Sequence, residues 1–166
     1  MNKARKSPAA SCTRSVEVAV EGVPAPSWRG RLRPFCQRVM REVKASQWEL
    51  SVLLCDDKRM KELNQRYRGK DSTNDVLSFP GKARRAPGAG ALEGAEVSGD
   101  IAISVAMLQS NARRFGVTDE EELKRLLIHG ILHCAGMDHG TGKGRGMLAL
   151  QQRLLDTLKE VRIIGK

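Results

Sequence analysis

Aromatic side chains make up only 4% of this 166-residue chain, and histidine occurs just three times. The first scarcity excludes a broad base-stacking platform of the kind that RRM and OB folds present. Cysteine is sparse too: Cys12, Cys36, Cys55 and Cys134 are scattered, and no two stand close enough for a CxxC metal or redox pair. Scattered thiols of this kind fit a reducing compartment, so the cytoplasm is expected, with Cys36, Cys55 and Cys134 serving as small core residues. No apolar run approaches the length that crosses a bilayer, which leaves no membrane partner to expect. The basic N-terminal stretch lacks the apolar segment of a secretory signal. Residues 1–15 are therefore expected to form a disordered tail, and residues 16–166 a single domain.

Acidic residues are also in deficit. The chain holds 29 Lys and Arg against 19 Asp and Glu, a formal net charge of +10 with a pI near 9.9. Such a field attracts phosphate backbones or anionic surfaces, although a solvated basic exterior accounts for it as well. With 40% hydrophobic residues, a chain of this size can bury a real core, and disordered, collagen-like and coiled-coil classes are excluded.

Hydrophobic periodicity then divides the chain. Val16 to Val20 alternate with polar neighbours, as in a half-buried strand. Leu32, Phe35, Val39 and Val43 recur at helical spacing within an amphipathic segment from Trp28 to Lys44. A second strand is expected over Trp48 to Cys55. Asp56 and Asp57 can cap the helix after it, which buries Met60 and Leu63 and ends near Tyr67. A third strand, Val76 to Phe79, is stopped by Pro80. Gly81 to Ser98 reads as a mobile surface loop, and Gly99 to Ser104 as a fourth strand leading into a helix from Val105 to Phe115. Thr118 with Glu121 three residues on forms a capping box, opening a helix whose apolar side is Leu123, Leu126, Leu127 and Leu132 and whose end falls at Gly136. A last helix is expected from Lys143 to Val161.

All three histidines fall in one segment, His129-Gly130-Ile131-Leu132-His133-Cys134-Ala135-Gly136-Met137-Asp138-His139. Four residues apart on a helix, His129 and His133 project from the same face about one turn, ~6 Å, apart, so both can reach one ion. Gly136 suits a left-handed helix exit that turns His139 back toward the pair. Three imidazoles leave a zinc-like ion one open position for water, as in a catalytic site and unlike a closed structural one. The same spacing occurs in metzincin proteases, which carry a glutamate base directly after the first histidine. Here that position is Gly130, so a peptidase lacks its usual base. Cys134 points away from the ligand face and reads as core.

This segment resembles the H-G-x-L-H-x-x-G-x-D-H signature of the YbeY family of bacterial endoribonucleases, the rRNA maturation factors. Leu63-Asn64, Tyr67-Arg68-Gly69-Lys70-Asp71 and Asp75-Val76-Leu77-Ser78-Phe79-Pro80 are similar to that family's LN-x-x-YRGKD-x-x-x-DVLSFP block, and Gly99-Asp100-Ile101 to its GDI strand. The likeness runs from about Trp48 to Val161. It departs where the family often has Pro-Thr-Asp and this chain reads Thr73-Asn74-Asp75, which is expected to alter a turn without removing a site.

The resemblance implies a single-domain α+β fold, with a small four-stranded mixed sheet packed by helices. It implies cleavage of single-stranded RNA in small-subunit rRNA maturation and ribosome quality control, with the ribosomal particle as partner. The histidine spacing predicts one Zn2+, or another divalent ion, on His129, His133 and His139, and the resemblance makes Arg68 and His129 the residues most important for cleavage. Chemically, the Arg68 guanidinium can hold two phosphate oxygens at once, although a cation at a helix end also favours the dipole. Lys70 joins Arg68 as an expected substrate contact. Lys82, Arg84 and Arg85 either extend a phosphate track or are solvated loop cations. Asp138 either orients an imidazole or caps a turn, and Asp100 either lines a cleft or ends a strand. The competing functions are a metallopeptidase and a non-catalytic ribosome assembly factor with a structural zinc.

Overall fold

Valines at positions 16, 18 and 20 all face one way, while Glu17, Ala19 and Glu21 face the other, because successive strand residues alternate. In a computed structural model, which describes residues 14–82, 92–138 and 144–165, these residues form β1 (Arg14–Glu21). The strand begins at Arg14, two residues ahead of the expected domain start. Residues 1–13, Arg84, Arg85 and His139 lie outside the described residues.

A short 3-10 turn (Arg29–Arg31) leads into α1 (Leu32–Glu42), followed by β2 (Gln47–Cys55), α2 (Asp57–Arg68), β3 (Val76–Pro80) and β4 (Glu96–Ser104). Three further helices complete the order: α3 (Val105–Phe115), α4 (Asp119–Cys134) and α5 (Gly144–Thr157). The strands form one sheet in the order β1-β2-β4-β3, with β1, β2 and β4 parallel and β3 antiparallel to β4. The α+β fold with a four-stranded mixed sheet is thus present.

The sheet has two unequal faces. On one, Val16, Leu50, Val52, Leu54, Ile101 and Ile103 merge with the buried sides of α1, α4 and α5 into the main core. The spacing of Leu32, Phe35, Cys36, Val39 and Met40 puts one whole stripe of α1 into it, as an amphipathic helix requires. On the other face a small cluster, Cys55, Met60, Leu77 and Ala102, lies under α2. Helix α4 is buried nearly all round, so it runs through the middle of the molecule and packs against β3, β4, α3 and α5.

Local signals set the helix ends. Thr118 Oγ1 accepts from the Glu121 backbone N–H at 3.1 Å, and Glu121 Oε2 accepts from the Thr118 N–H at 2.8 Å, a complete capping box. That backbone hydrogen bond also holds the Glu121 carboxyl below its ordinary pKa. At the other end Gly136 is left-handed (φ 78°), and Met137 N–H donates to Leu132 O at 3.0 Å, a Schellman closure.

Two expectations need correction. The stretch from Gly81 to Ser98 is not all surface loop: Leu92 and Ala95 are buried, Ser46 N–H donates to Ala95 O, and Glu96 to Ser98 already pair in β4. Leu92 and Ala95 are too few and too widely spaced to register as periodic, and only the core around β2 shows them where to go. The last helix ends at Thr157, short of Val161: the chain continues as a tighter turn in which Val161 N–H donates to Leu158 O at 3.0 Å, and Lys124 Nζ donates to the carbonyls of Leu158 (3.3 Å) and Lys159 (2.8 Å).

Candidate metal centre and its surroundings

His129 and His133 share the last two turns of α4, and both imidazoles are anchored at Nδ1. His129 Nδ1 lies 3.0 Å from Gln151 Oε1 on α5, and His133 Nδ1 lies 3.0 Å from the backbone carbonyl of Met137, in the turn that Gly136 creates. The Met137 carbonyl only accepts, so His133 Nδ1 donates to it; with the Gln151 carbonyl oxygen turned toward it, His129 Nδ1 takes the same role, the tautomer in which each Nε2 presents a lone pair. Those two Nε2 atoms face each other at 3.2 Å, with the rings edge-on at 76°.

Two lone pairs so placed repel unless a cation lies between them. Nitrogens 2.0–2.1 Å from one tetrahedral zinc-like ion are separated by ~3.3–3.4 Å, close to the spacing found here. The donor chemistry therefore fits a divalent ion. Among the described residues no group of three His, Cys, Asp or Glu side chains converges. The pair is brought together as expected, and the expected third ligand, His139, lies outside the described residues.

The chain around the pair is tightly set. A Cβ added at Gly130 would meet Ile101 Cγ2 at 2.8 Å, and one at Gly99 would meet Cys134 Sγ at 2.6 Å. Helix α4 thus rests on β4 at the closest approach that glycine allows. A glutamate at position 130, as metzincins require, has no room there. Cys134 is fully buried against β4, where a Cβ at Gly99 would meet its Sγ, and burial pushes its thiol up to about 12. It is a core residue.

A polar network that sequence alone does not reveal supports the other end of β3. Asp75 Oδ2 accepts from Asn111 Nδ2 at 3.0 Å and from Arg125 at 3.2 Å, and Arg125 grips the buried Glu122 at 2.6 and 2.7 Å. Hydrogen bonding to Glu122 raises the Arg125 pKa. The i,i+3 spacing of Glu122 and Arg125 hints at the pair, but its connection to Asp75 is made only by the fold. Gln151 carries no signal at all, since a polar residue on an amphipathic helix is ordinary.

Arg68 is the last residue of α2, exposed, and Gly69 ends the helix in a left-handed conformation (φ 65°). The buried Asn64 holds the following loop through Ser72 O at 2.7 Å. Lys70 is also exposed, and among the described residues neither cation makes an ion pair, whereas Lys61 pairs with Asp71 and Arg59 with Glu21. Helices α2 and α4 lie on opposite faces of the sheet, so Arg68 and the imidazoles are not in contact. They do share one end of it. Tyr67 rests on Phe79, whose register partner is Asp100, and the next residue, Gly99, lies under Cys134 beside His133. Lys82 is exposed just past β3. Asp138 is exposed, and it is the Met137 carbonyl that meets His133 Nδ1. Asp100 is exposed on the α2 face of the sheet, lining a cavity there.

Comparison with known proteins decides the lineage. The family model described as endoribonuclease YbeY matches residues 18–159. The chain belongs to the YbeY family. The endoribonuclease YbeY of Treponema pallidum (strain Nichols) is 43% identical over 141 residues, covering 84% of this chain and 87% of that protein. Its counterpart in Treponema denticola is 41% identical over 134 residues, covering 80% and 85%. A solution structure from Thermotoga maritima superposes with a TM-score of 0.53 at 27% identity, covering 86% of this chain and 90% of that one. The family model thus spans the chain from within β1 through the histidine helix and α5.

Proposed function

We propose that this chain is a metal-dependent endoribonuclease that cuts single-stranded RNA during maturation of the small-subunit ribosomal RNA and in ribosome quality control, acting on the ribosomal particle. The observation that carries the metal half is the 3.2 Å approach of two Nε2 atoms whose Nδ1 positions are both committed elsewhere. The RNA half rests on membership of a family whose relatives are named endoribonucleases. Among the described residues, no helix is long and apolar enough to cross a membrane. The cytoplasm is the proposed location.

His129, His133 and His139 would hold one ion, zinc by the fit of an all-imidazole set, although such ligands also accept other divalent metals. When bound, it would supply Lewis-acid activation of the attacking hydroxyl or water and of the phosphoryl oxygen. The chain's own residues do the rest. Gln151 and the Met137 carbonyl fix the imidazole tautomers and aim both rings. Arg68, on the other side of edge strand β3, holds two non-bridging phosphate oxygens whose charge grows during cleavage, and Lys70 takes a neighbouring phosphate. An RNA strand drawn over β3 would touch both sets of groups.

The test combines elemental analysis with cleavage of a single-stranded rRNA fragment by wild type, Arg68→Ala and His129→Ala, each prepared free of contaminating ribonucleases. One divalent ion per chain is expected in wild type, none or little in His129→Ala, and loss of cleavage in both variants. Products ending in a 2′,3′-cyclic phosphate would identify the ribose 2′-OH as nucleophile, and their absence would identify water. Cleavage that survives both substitutions refutes the assignment. Unfolding of His139→Ala with no nuclease activity at any metal loading would instead mark an assembly factor with a structural ion.

A further inference from the structure

On the sheet face turned away from α4, one row of register partners crosses all four strands: Glu17 of β1, Ser51 of β2, Asp100 of β4 and Phe79 of β3. Helix α2 packs on β4 at this face, with Met60 against Cys55, Leu77 and Ala102 and Tyr67 against Phe79. What remains open is a cavity of about 430 Å³. Its floor is made of two register rows, Glu17-Ser51-Asp100 and Ala19-Leu53-Ala102, with Leu63 of α2 beside them. One wall is aromatic. Tyr67 is 57% exposed, and its ring is held 4.9 Å from that of Phe79. The carboxylates of Glu17, Glu21 and Asp100 also line the cavity.

We propose that this cavity is a nucleobase subsite, in which Tyr67 stacks the base and Asp100 accepts a hydrogen bond from its exocyclic amino group, so that cytosine or adenine is bound in preference to uracil. The proposal rests on the reading of the substrate as RNA. An exposed aromatic ring beside the Ala19-Leu53-Ala102 row offers a planar base an apolar surface, with the carboxylate of Asp100 in the neighbouring row, and the volume lies within the range of small-molecule sites. A carboxylate can only accept, so it favours the amino group of cytosine N4 or adenine N6 and repels the carbonyl that uracil presents instead. Phosphates are kept out by the same carboxylates. Arg68 and Lys70 follow Tyr67 in the chain, exposed and without ion-pair partners among the described residues, and so can take flanking phosphates. A basic peptide would meet Arg66, whose guanidinium lies 5.5 Å from the Tyr67 ring centroid, and the exposed Arg68 and Lys70 beyond it in the chain, which is why RNA is the better occupant.

Binding by the metal-loaded full chain of labelled 2′-O-methyl C12 and U12 oligonucleotides, followed by fluorescence anisotropy, tests this. Wild type is expected to bind C12 more tightly than U12 by about 5- to 10-fold. Tyr67→Ala should weaken both by about 5- to 50-fold while Tyr67→Phe stays near wild type, since stacking needs the ring and not the hydroxyl. Asp100→Asn should equalise C12 and U12, because an amide serves either base edge. Both positions are exposed, and matching circular dichroism would establish that the variants fold. Wild-type affinity in Tyr67→Ala, or a cytosine preference that survives Asp100→Asn, overturns the subsite. So does a lysine-rich peptide whose binding, unlike that of RNA, is abolished by Tyr67→Ala. If wild type cleaves rRNA yet binds C12 and U12 equally, the subsite alone is wrong. If it neither binds nor cleaves any RNA, the functional reading falls with it.

Discussion

Gly130 of α4 packs against Ile101 of β4 so closely that the hydrogen of the glycine occupies the only space available; a methyl group there would sit 2.8 Å from Ile101 Cγ2. The contact sets the depth of the histidine helix on the sheet. It also ties the one position that a peptidase would need for its base to a purely steric duty.

Replacing that glycine tests the point. Gly130→Ala gains helix propensity of about 1 kcal/mol but overpacks the core, which typically costs about 1–3 kcal/mol. Net destabilisation is expected in urea unfolding. Ile101→Ala should relieve it, so the double variant should lose less stability than the two single losses combined. Strict additivity would show that the contact is not what excludes a side chain.

Gln151 is the partner that aims His129, through a 3.0 Å contact between helices. Gln151→Leu is expected to weaken divalent-ion binding about 10- to 100-fold in a chelator competition, with little change in thermal stability. Gln151→Glu should retain or tighten binding, because a carboxylate raises imidazole basicity. Unchanged affinity in the leucine variant would separate Gln151 from the metal centre.

Lys124 is buried, pairs with Glu120 at 3.2 Å, and binds the carbonyls that follow α5. Lys124→Met leaves Glu120 without that partner and frees those carbonyls, so a loss of about 3–5 kcal/mol is expected from denaturant unfolding. Because α5 carries Gln151, metal affinity should fall as well. A variant of wild-type stability would mean that Glu120 is met by another group, such as Arg162.

The thiols predict an alkaline limit. Burial pushes Cys36 and Cys134 up to about 12 from an ordinary 9.0. A raised native pKa means the folded state keeps its proton where the unfolded state loses it. The stabilisation is complete below pH 9 and is lost as pH rises toward 12, by about 1.4 kcal/mol per pH unit for each thiol. Urea midpoints should therefore be flat from pH 7 to 8.5 and fall above that. At pH 8 the native chain, with four cysteines in all, should expose no more than one thiol to a disulfide-exchange reagent, against four in denaturant.

Much of this protein could be read directly along the chain. The capping box at Thr118, the amphipathic stripe of α1, the alternation in β1 and the glycine exit after α4 are short-range patterns, governed by neighbours within a turn or two. The histidine spacing belongs with them, since a four-residue step on a helix brings two imidazoles to one face whatever else the chain does. Residues such as Leu92 and Ala95 escaped because nothing in their own neighbourhood marks them as buried.

What required the tertiary structure is everything that joins residues distant in sequence. Gln151 reaches His129 across 22 positions, Arg125 reaches Asp75 across 50, and Glu17, Ser51, Asp100 and Phe79 line up only through strand register. Hydrophobic period and capping chemistry are local and leave their mark in composition. The identity of a partner across the core depends on how close two elements can pack, which in this fold is decided by the absence of a side chain at Gly130 and Gly99.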